Sequence, residues 1–187
     1  MEKVNIAEKI KSIREEKGLS LQELSKITGY SSAILSQIEN HLESPSLGTL
    51  FKIAKGLGVD IGVFFGVEGK DSFCITKKGE GEKVARFASK DGITRYGYNY
   101  KSLGMGKKNR KLEPFIVTLE PETIKNEKPY AHEGEEFIYV LEGKVEITIG
   151  ENKDILEPGD SIYYDSTVPH MVRCLGEKAV ILAVFPK

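Results

Sequence analysis

Leu21–Asn40, LQELSKITGYSSAILSQIEN, reads as two short helices joined at a tight turn, and that reading decides the first third of the chain. Ser20 and Glu23 form a capping box, in which hydroxyl and carboxylate each answer an amide that the helix start leaves unpaired. Leu24 and Ile27 are the expected buried face of this first helix, which runs to about Thr28. Gly29 can take the left-handed backbone that a sharp turn demands. Ser31 then caps a second helix, with Leu35 and Ile38 inward. Ser25 is small enough to let the two helices cross closely at their inner corner.

Upstream, Ile6, Ile10 and Ile13 recur at helical spacing along Asn5–Lys17, and Gly18 can end that helix. Downstream, Pro45 and Ser46 open a helix with Leu47, Leu50, Ile53, Ala54 and Leu57 inward, and Asp60 caps a last turn through Phe64 and Phe65. The fold class is therefore α+β in two domains, with an all-α unit of five helices first. Beyond it the polar run VEGKDS reads as a linker. Then come short β-rich runs broken by turn residues: FCITK, GITRYGYNYKSL, LEPFIVTLEP, EFIYVLEG, KVEITIG, KDILEPGD, SIYYD, PHMVRC and AVILAVF. The expected division is 1–66, linker 67–72, and an all-β unit over 73–187, a double-sheet jelly roll or barrel.

A net charge of −1 hides opposite thirds: 0 over residues 1–66, +6 over 67–113 and −7 over 114–187. Nucleic acid would be repelled by the acidic last third, so any DNA contact belongs to the first two. The N-terminal stretch MEKVNIAEKIKSIREE has no apolar run of the signal-peptide kind, and no stretch is apolar enough to span a bilayer. A cytoplasmic protein without a membrane partner is the expectation. Cys74 and Cys174 stand a hundred positions apart, which suggests neither a zinc finger nor a disulfide framework.

The Gly29 turn, small Ser25, the SQIEN run at Ser36–Asn40 and SPSLGTLFKIAKGLGV at Ser44–Val59 together resemble the phage-repressor-like, or XRE-type, helix-turn-helix family. That resemblance implies a recognition helix at Ser31–Asn40, lying in the major groove. Its outward residues would be Ser32, Ala33, Ser36 and Gln37, with Ser31 at its start. Gln37 could pair with adenine in two hydrogen bonds and Ala33 could touch a thymine methyl. Gln22 and Asn40 are the candidate phosphate contacts.

In the β half, His132, Glu136 and Gly143, followed by Gly159 and His170, are similar to the two motifs of the cupin family, with Tyr130 where a first His would stand. Residue parity allows Tyr130, His132 and Glu136 to face one interior from their segment, and His170 and Cys174 to do so from theirs. Two imidazoles and a carboxylate resemble the triad that holds divalent iron, so His132, Glu136 and His170 are candidate metal ligands and a divalent ion is a possible cofactor. The alternative is an effector pocket in which these groups hydrogen-bond each other or an organic ligand. Tyr98, alternating with Tyr96 and Tyr100, could join that pocket, and Cys174 would be a buried thiol of low reactivity. KKNRK at Lys107–Lys111 reads as a solvated hairpin tip, or as an approach to phosphate.

A helix-turn-helix followed by a cupin resembles a class of prokaryotic regulators. The implied protein is a sequence-specific, homodimeric DNA-binding regulator, not an enzyme, which reads a palindromic operator and senses a small-molecule effector in its cupin domain. Two alternatives stand beside it: a DNA-tethered, metal-dependent cupin enzyme, and a helical protein-interaction module such as an antitoxin.

Overall fold

Among the described residues four α-helices form, each starting where a side-chain oxygen can accept a free amide. Asn5 caps α1 (Ile6–Glu16), Ser20 caps α2 (Leu21–Thr28) with the full capping box, Ser31 caps α3 (Ser32–Glu39) and Ser46 caps α4 (Leu47–Gly56). Gly29 ends α2 in the left-handed region at φ 74°, so the α2–α3 turn needs a residue without a Cβ. The computed structural model describes residues 5–42, 45–65, 69, 71–78, 98–104, 106–120 and 129–186.

The expected fifth helix is instead a 3₁₀ turn, Ile61–Phe65. In that tighter winding residues three apart eclipse, which puts Ile61 and Phe64 together in the core. Ile27 departs from expectation too. It is 55% exposed, because Leu24 and Thr28, one turn apart, take the buried side of α2. Thr28 can be buried because its hydroxyl donates to the Leu24 carbonyl at 2.7 Å.

The β half is one antiparallel sheet. Its strands are β1 (Tyr98–Ser102), β2 (Leu112–Leu119), β3 (Glu135–Ile149), β4 (Asn152–Leu156), β5 (Ser161–Asp165) and β6 (His170–Pro186), ordered β1-β2-β6-β3-β4 with β5 also on β3. EFIYVLEG and KVEITIG are a single strand: register shifts between Val140 and Lys144, with Gly143 at φ 75°, bend β3 without ending it. PHMVRC and AVILAVF likewise merge into β6. Phe73–Lys77 forms no strand; Phe73 and Ile75 are 67% and 74% exposed, and Cys74 and Thr76 send side chains, not a ladder, to the Leu103 carbonyl. Of GITRYGYNYKSL the described strand covers Tyr98–Ser102, and Tyr96 lies outside the described residues.

The two units pack on each other. Phe65 of the 3₁₀ turn meets Phe115 on β2 at 4.9 Å between ring centroids and Tyr100 on β1 edge-on at 6.2 Å. Tyr100 Oη donates to the Pro45 carbonyl at 2.8 Å, just ahead of α4. Arg110 does not lie on a solvated tip with its KKNRK neighbours. It is buried, paired with Glu113 at 2.9 Å and set against Gly62.

Candidate DNA-reading helix and histidine–carboxylate site

α3 is held by its buried face. Leu35 and Ile38 enter the helical core, and Glu39 beside them accepts from Arg14 on α1 through both oxygens, at 2.6 and 2.8 Å. Further Arg14 donors reach the Leu19 carbonyl at 2.8 Å and Glu15 Oε1 at 3.3 Å. The pair lifts the Arg14 pKa above its ordinary value, chiefly through the Glu39 hydrogen bond. Sequence reasoning missed this lock, although Glu39, four residues after Leu35 on a core-facing row, was a signal that a charge there needs a partner.

Ala33, Ile34 and Gln37 are exposed on α3, and Gln22 is exposed in the first turn of α2. Ser31 Oγ accepts from the Ile34 amide at 3.2 Å as the cap. Ser32 is half-buried and donates to the Leu21 carbonyl at 3.3 Å, while Ser36 is half-buried under Asn40. Asn40 turns its amide back to the Ser36 carbonyl at 2.8 Å. Ile34 is an outward apolar residue that the helical pattern did not single out.

In the β unit, β3 delivers Glu136, β6 delivers His170, and the segment before β3 delivers His132. Tyr130 forms an isolated bridge with His170, and the His132 amide donates to the Ser166 carbonyl at 2.9 Å, so that segment is pinned beside β6. One ligand atom from each of His132, Glu136 and His170 lies within 4.8 Å of the others. His132 Nε2 is 2.5 Å from Glu136 Oε1 and His170 Nε2 is 3.5 Å from the same oxygen. Tyr164, opposite Glu136 across β3–β5, donates its hydroxyl to Oε2. This fourth member was not legible beforehand, because it depends on strand register.

The protonation pattern follows from the far side of each ring. His132 Nδ1 faces the Glu133 carbonyl at 3.1 Å and His170 Nδ1 faces the Val168 carbonyl at 2.9 Å. Carbonyls only accept, so each Nδ1 carries hydrogen and each Nε2 is the atom turned toward Glu136. His170 Nε2 is fully buried and has no hydrogen-bond partner among the described residues. Two Nε2 atoms converging on a carboxylate, each ring oriented by a carbonyl behind it, form a donor set that suits a divalent cation once those nitrogens are free of protons. Burial alone would raise the Glu136 carboxyl, but the hydrogen bond with His132, the nearby His170 ring and the Tyr164 hydroxyl outweigh it and hold the pKa below the usual range. Burial opposes charge on His132 as well, and is overcome by Glu136, so its pKa rises. Burial, then the Glu136 charge, pushes the Tyr164 phenol far up and keeps it a donor.

Tyr130 puts its ring edge-on to His170 at 4.5 Å. Two other expected pocket residues are not brought to the cluster. Tyr98 is buried on β1, two strands from β6, and stacks on Tyr100. Cys174 lies four residues beyond His170 along β6, with Sγ turned to the Gly176 carbonyl and its pKa raised by burial. The site also has a wall that sequence did not suggest: Phe51 of α4 lies nearly parallel to the His132 ring, 5.5 Å away.

A four-helix unit with this capped turn, set ahead of an antiparallel sheet carrying a histidine–carboxylate cluster, defines a two-domain DNA-binding regulator. The helix-turn-helix family model matches residues 10–64 and the cupin domain model matches residues 115–185. The chain belongs to the helix-turn-helix transcriptional regulators of the XRE type that carry a C-terminal cupin domain. It is similar to the HTH-type transcriptional regulator PuuR of Escherichia coli (strain K12), 28% identical over 162 residues, 87% of this chain and 83% of that protein. Similarity to SinR of Bacillus subtilis (strain 168) is 32% over 91 residues, 48% of this chain and 82% of SinR. Among solved structures, an HTH_3 family transcriptional regulator from Vibrio cholerae superposes with a TM-score of 0.62 at 28% identity, covering 98% of this chain and 96% of that one.

The iron(II) form of HppE superposes with a TM-score of 0.51 at 25% identity, covering 97% of this chain and 98% of that one. HppE is an Fe(II) epoxidase. The expectation that the chain is not an enzyme is therefore withdrawn, since its likeness reaches regulators and an iron epoxidase alike. No helix among the described residues is long and apolar enough to cross a membrane.

Proposed function

We propose that this regulator works as a homodimer on a palindromic operator, and that its operator affinity changes when a small-molecule effector or a divalent ion occupies the site of His132, Glu136 and His170. The observation that carries the sensing part is the buried, unpartnered His170 Nε2 aimed at an ionised carboxylate. A buried polar atom left without a partner destabilises the fold unless something answers it. A divalent ion held there would supply Lewis acidity and open coordination positions.

On the DNA side, Gln37 and Ala33 face the bases, Ser31, Ser32 and Ser36 lie along the same helix, and Gln22 and Asn40 flank it toward phosphate. One short helix reads few bases, and a two-fold pair reads two half-sites about one helical turn apart. The outer face of the sheet supports the dimer. Pro114, Val184, Phe137 and Tyr163 run side by side across four strands, with Ile116, Leu182 and Tyr139 in the next row. An apolar band of this kind suits burial against a second copy. Boundaries at 1–66 and 73–187, a jelly-roll closure of the β unit and a cytoplasmic location complete the reading.

The test is selection of genomic fragments by the full-length protein, followed by footprinting with and without manganese(II). Protection of a palindrome that shifts with the ion supports the reading. Protection indifferent to ion, chelator and every metabolite screened rejects the sensing part. A second reading, a DNA-tethered iron enzyme, is favoured by the HppE likeness. It is checked by oxygen uptake after anaerobic iron(II) loading.

A further inference from the structure

Two faces of α4 are committed to two different partners. Gly48, Phe51 and Lys55 stand at i, i+3 and i+7 and turn toward the β unit. The Tyr130 ring lies so close over Gly48 that any Cβ there would overlap it. Phe51 stacks on His132, and Lys55 Nζ meets Glu133 Oε2 at 2.7 Å. Thr49, Lys52 and Gly56 repeat the same spacing on a neighbouring face and turn toward the α2–α3 turn. Thr49 Oγ1 is 3.2 Å from the Tyr30 hydroxyl, and Lys52 Nζ is 5.5 Å from the centre of the Tyr30 ring. A Cβ at Gly56 would sit 2.6 Å from Thr28 Cγ2. Thr28 and Tyr30 flank Gly29, and Tyr30 immediately precedes the cap of the recognition helix.

Beside α4, between the two units, lies a cavity of about 610 Å³ whose walls include Phe51, Lys52, Lys55, Ile61, His132 and Thr167. The space next to the histidine–carboxylate site is thus walled partly by the DNA-reading unit.

We infer that α4 is the element through which the His132 site and the recognition helix are coupled. Whatever moves Tyr130 or His132 displaces Gly48 and Phe51, and a hydrogen-bonded helix moves as a unit. Its other face then shifts Tyr30 and the start of α3. The inference rests on the sensing role proposed above, and it supplies the route. Coupling of this kind is reciprocal, so a change on α4 must also alter the β site.

Hydrogen–deuterium exchange on the full chain reads both directions, with manganese(II) as probe. Gly48→Ala places a better helix former in α4. It is nonetheless expected to raise exchange at least threefold over 129–133 and 166–172 in the other unit and over 28–34 at the α2–α3 turn, and to weaken manganese(II) binding at least fivefold. Phe51→Leu, which keeps most of the bulk, is expected to give the same pattern more weakly. Unchanged exchange in the β segments or over 28–34, with α4 still protected, overturns the coupling even if the ion binds normally. Coupled exchange without ion binding supports the role of α4 and removes the metal reading alone.

Discussion

Each half of the molecule buries a cluster of charged groups, and the two clusters are finished to different degrees. In the helical half Arg14 donates to Glu39, the Leu19 carbonyl and Glu15, and the pair is closed. In the β half Glu136 collects His132 and Tyr164, while His170 Nε2 stands at 3.5 Å with no hydrogen bond among the described residues. A closed cluster orients a helix. An open one has unspent binding capacity, and that is the physical mark of a site.

The largest expected effect breaks the closed cluster. Glu39→Ala strands a buried guanidinium and should cost about 3 to 5 kcal/mol in urea unfolding. Replacing Arg14 and Glu39 together by apolar residues of similar volume should recover most of that loss. A double variant as unstable as Glu39→Ala would mean that packing, not charge pairing, holds α3.

The open cluster should respond in the opposite sense, gaining stability from a partner. Manganese(II) at a hundred times its dissociation constant should add about 2.7 kcal/mol, and His170→Ala should abolish the gain. A chelator-insensitive melting temperature in wild type would refute this. pH separates the two states further. Without metal, the raised His132 pKa makes the His132–Glu136 contribution complete below the imidazole's unfolded-state pKa and lost as pH rises through the folded one. The lowered Glu136 pKa removes the same contribution as pH falls through the carboxylate's folded value. Metal loading reverses the trend at the histidines, because their Nε2 atoms must be free of protons to bind.

Smaller effects test the reading face. Gln37→Ala should weaken operator binding by about 1 to 3 kcal/mol with stability unchanged. If affinity for the protected palindrome is unaltered, the orientation assigned to α3 is wrong. Ser20→Ala, which removes an exposed cap and leaves both clusters' side chains in place, should cost only about 1 kcal/mol of stability.

Much of the helical half was legible because its signals are local. Ser20, Ser31 and Ser46 cap helices within three residues of themselves, Gly29 turns the chain at its own backbone, and the core rows of α1 and α4 repeat within two turns. The same logic fails at Ile27, whose spacing suited the core while Thr28 held the buried side. In the sheet, the cupin resemblance grouped His132 and Glu136 with His170, parity allowed each segment to face inward, and the three side chains do lie within reach of one another. Parity misjudged Cys174, since facing one way says nothing about distance along a strand.

By itself the sequence determined the caps, the turn and the helical and alternating periods, because each depends on residues within a few positions or on strand parity, while the meeting of His132 and Glu136 with His170 was legible only through the family resemblance. Only the tertiary structure decided that Arg14 closes on Glu39, that Tyr164 completes Glu136, that two pairs of expected strands run on as one each, and that Phe51 and Gly48 wall the β site. These depend on which surfaces meet and in what register. Distant residues are brought together by burial of the whole core, and no local pattern in the chain records that choice.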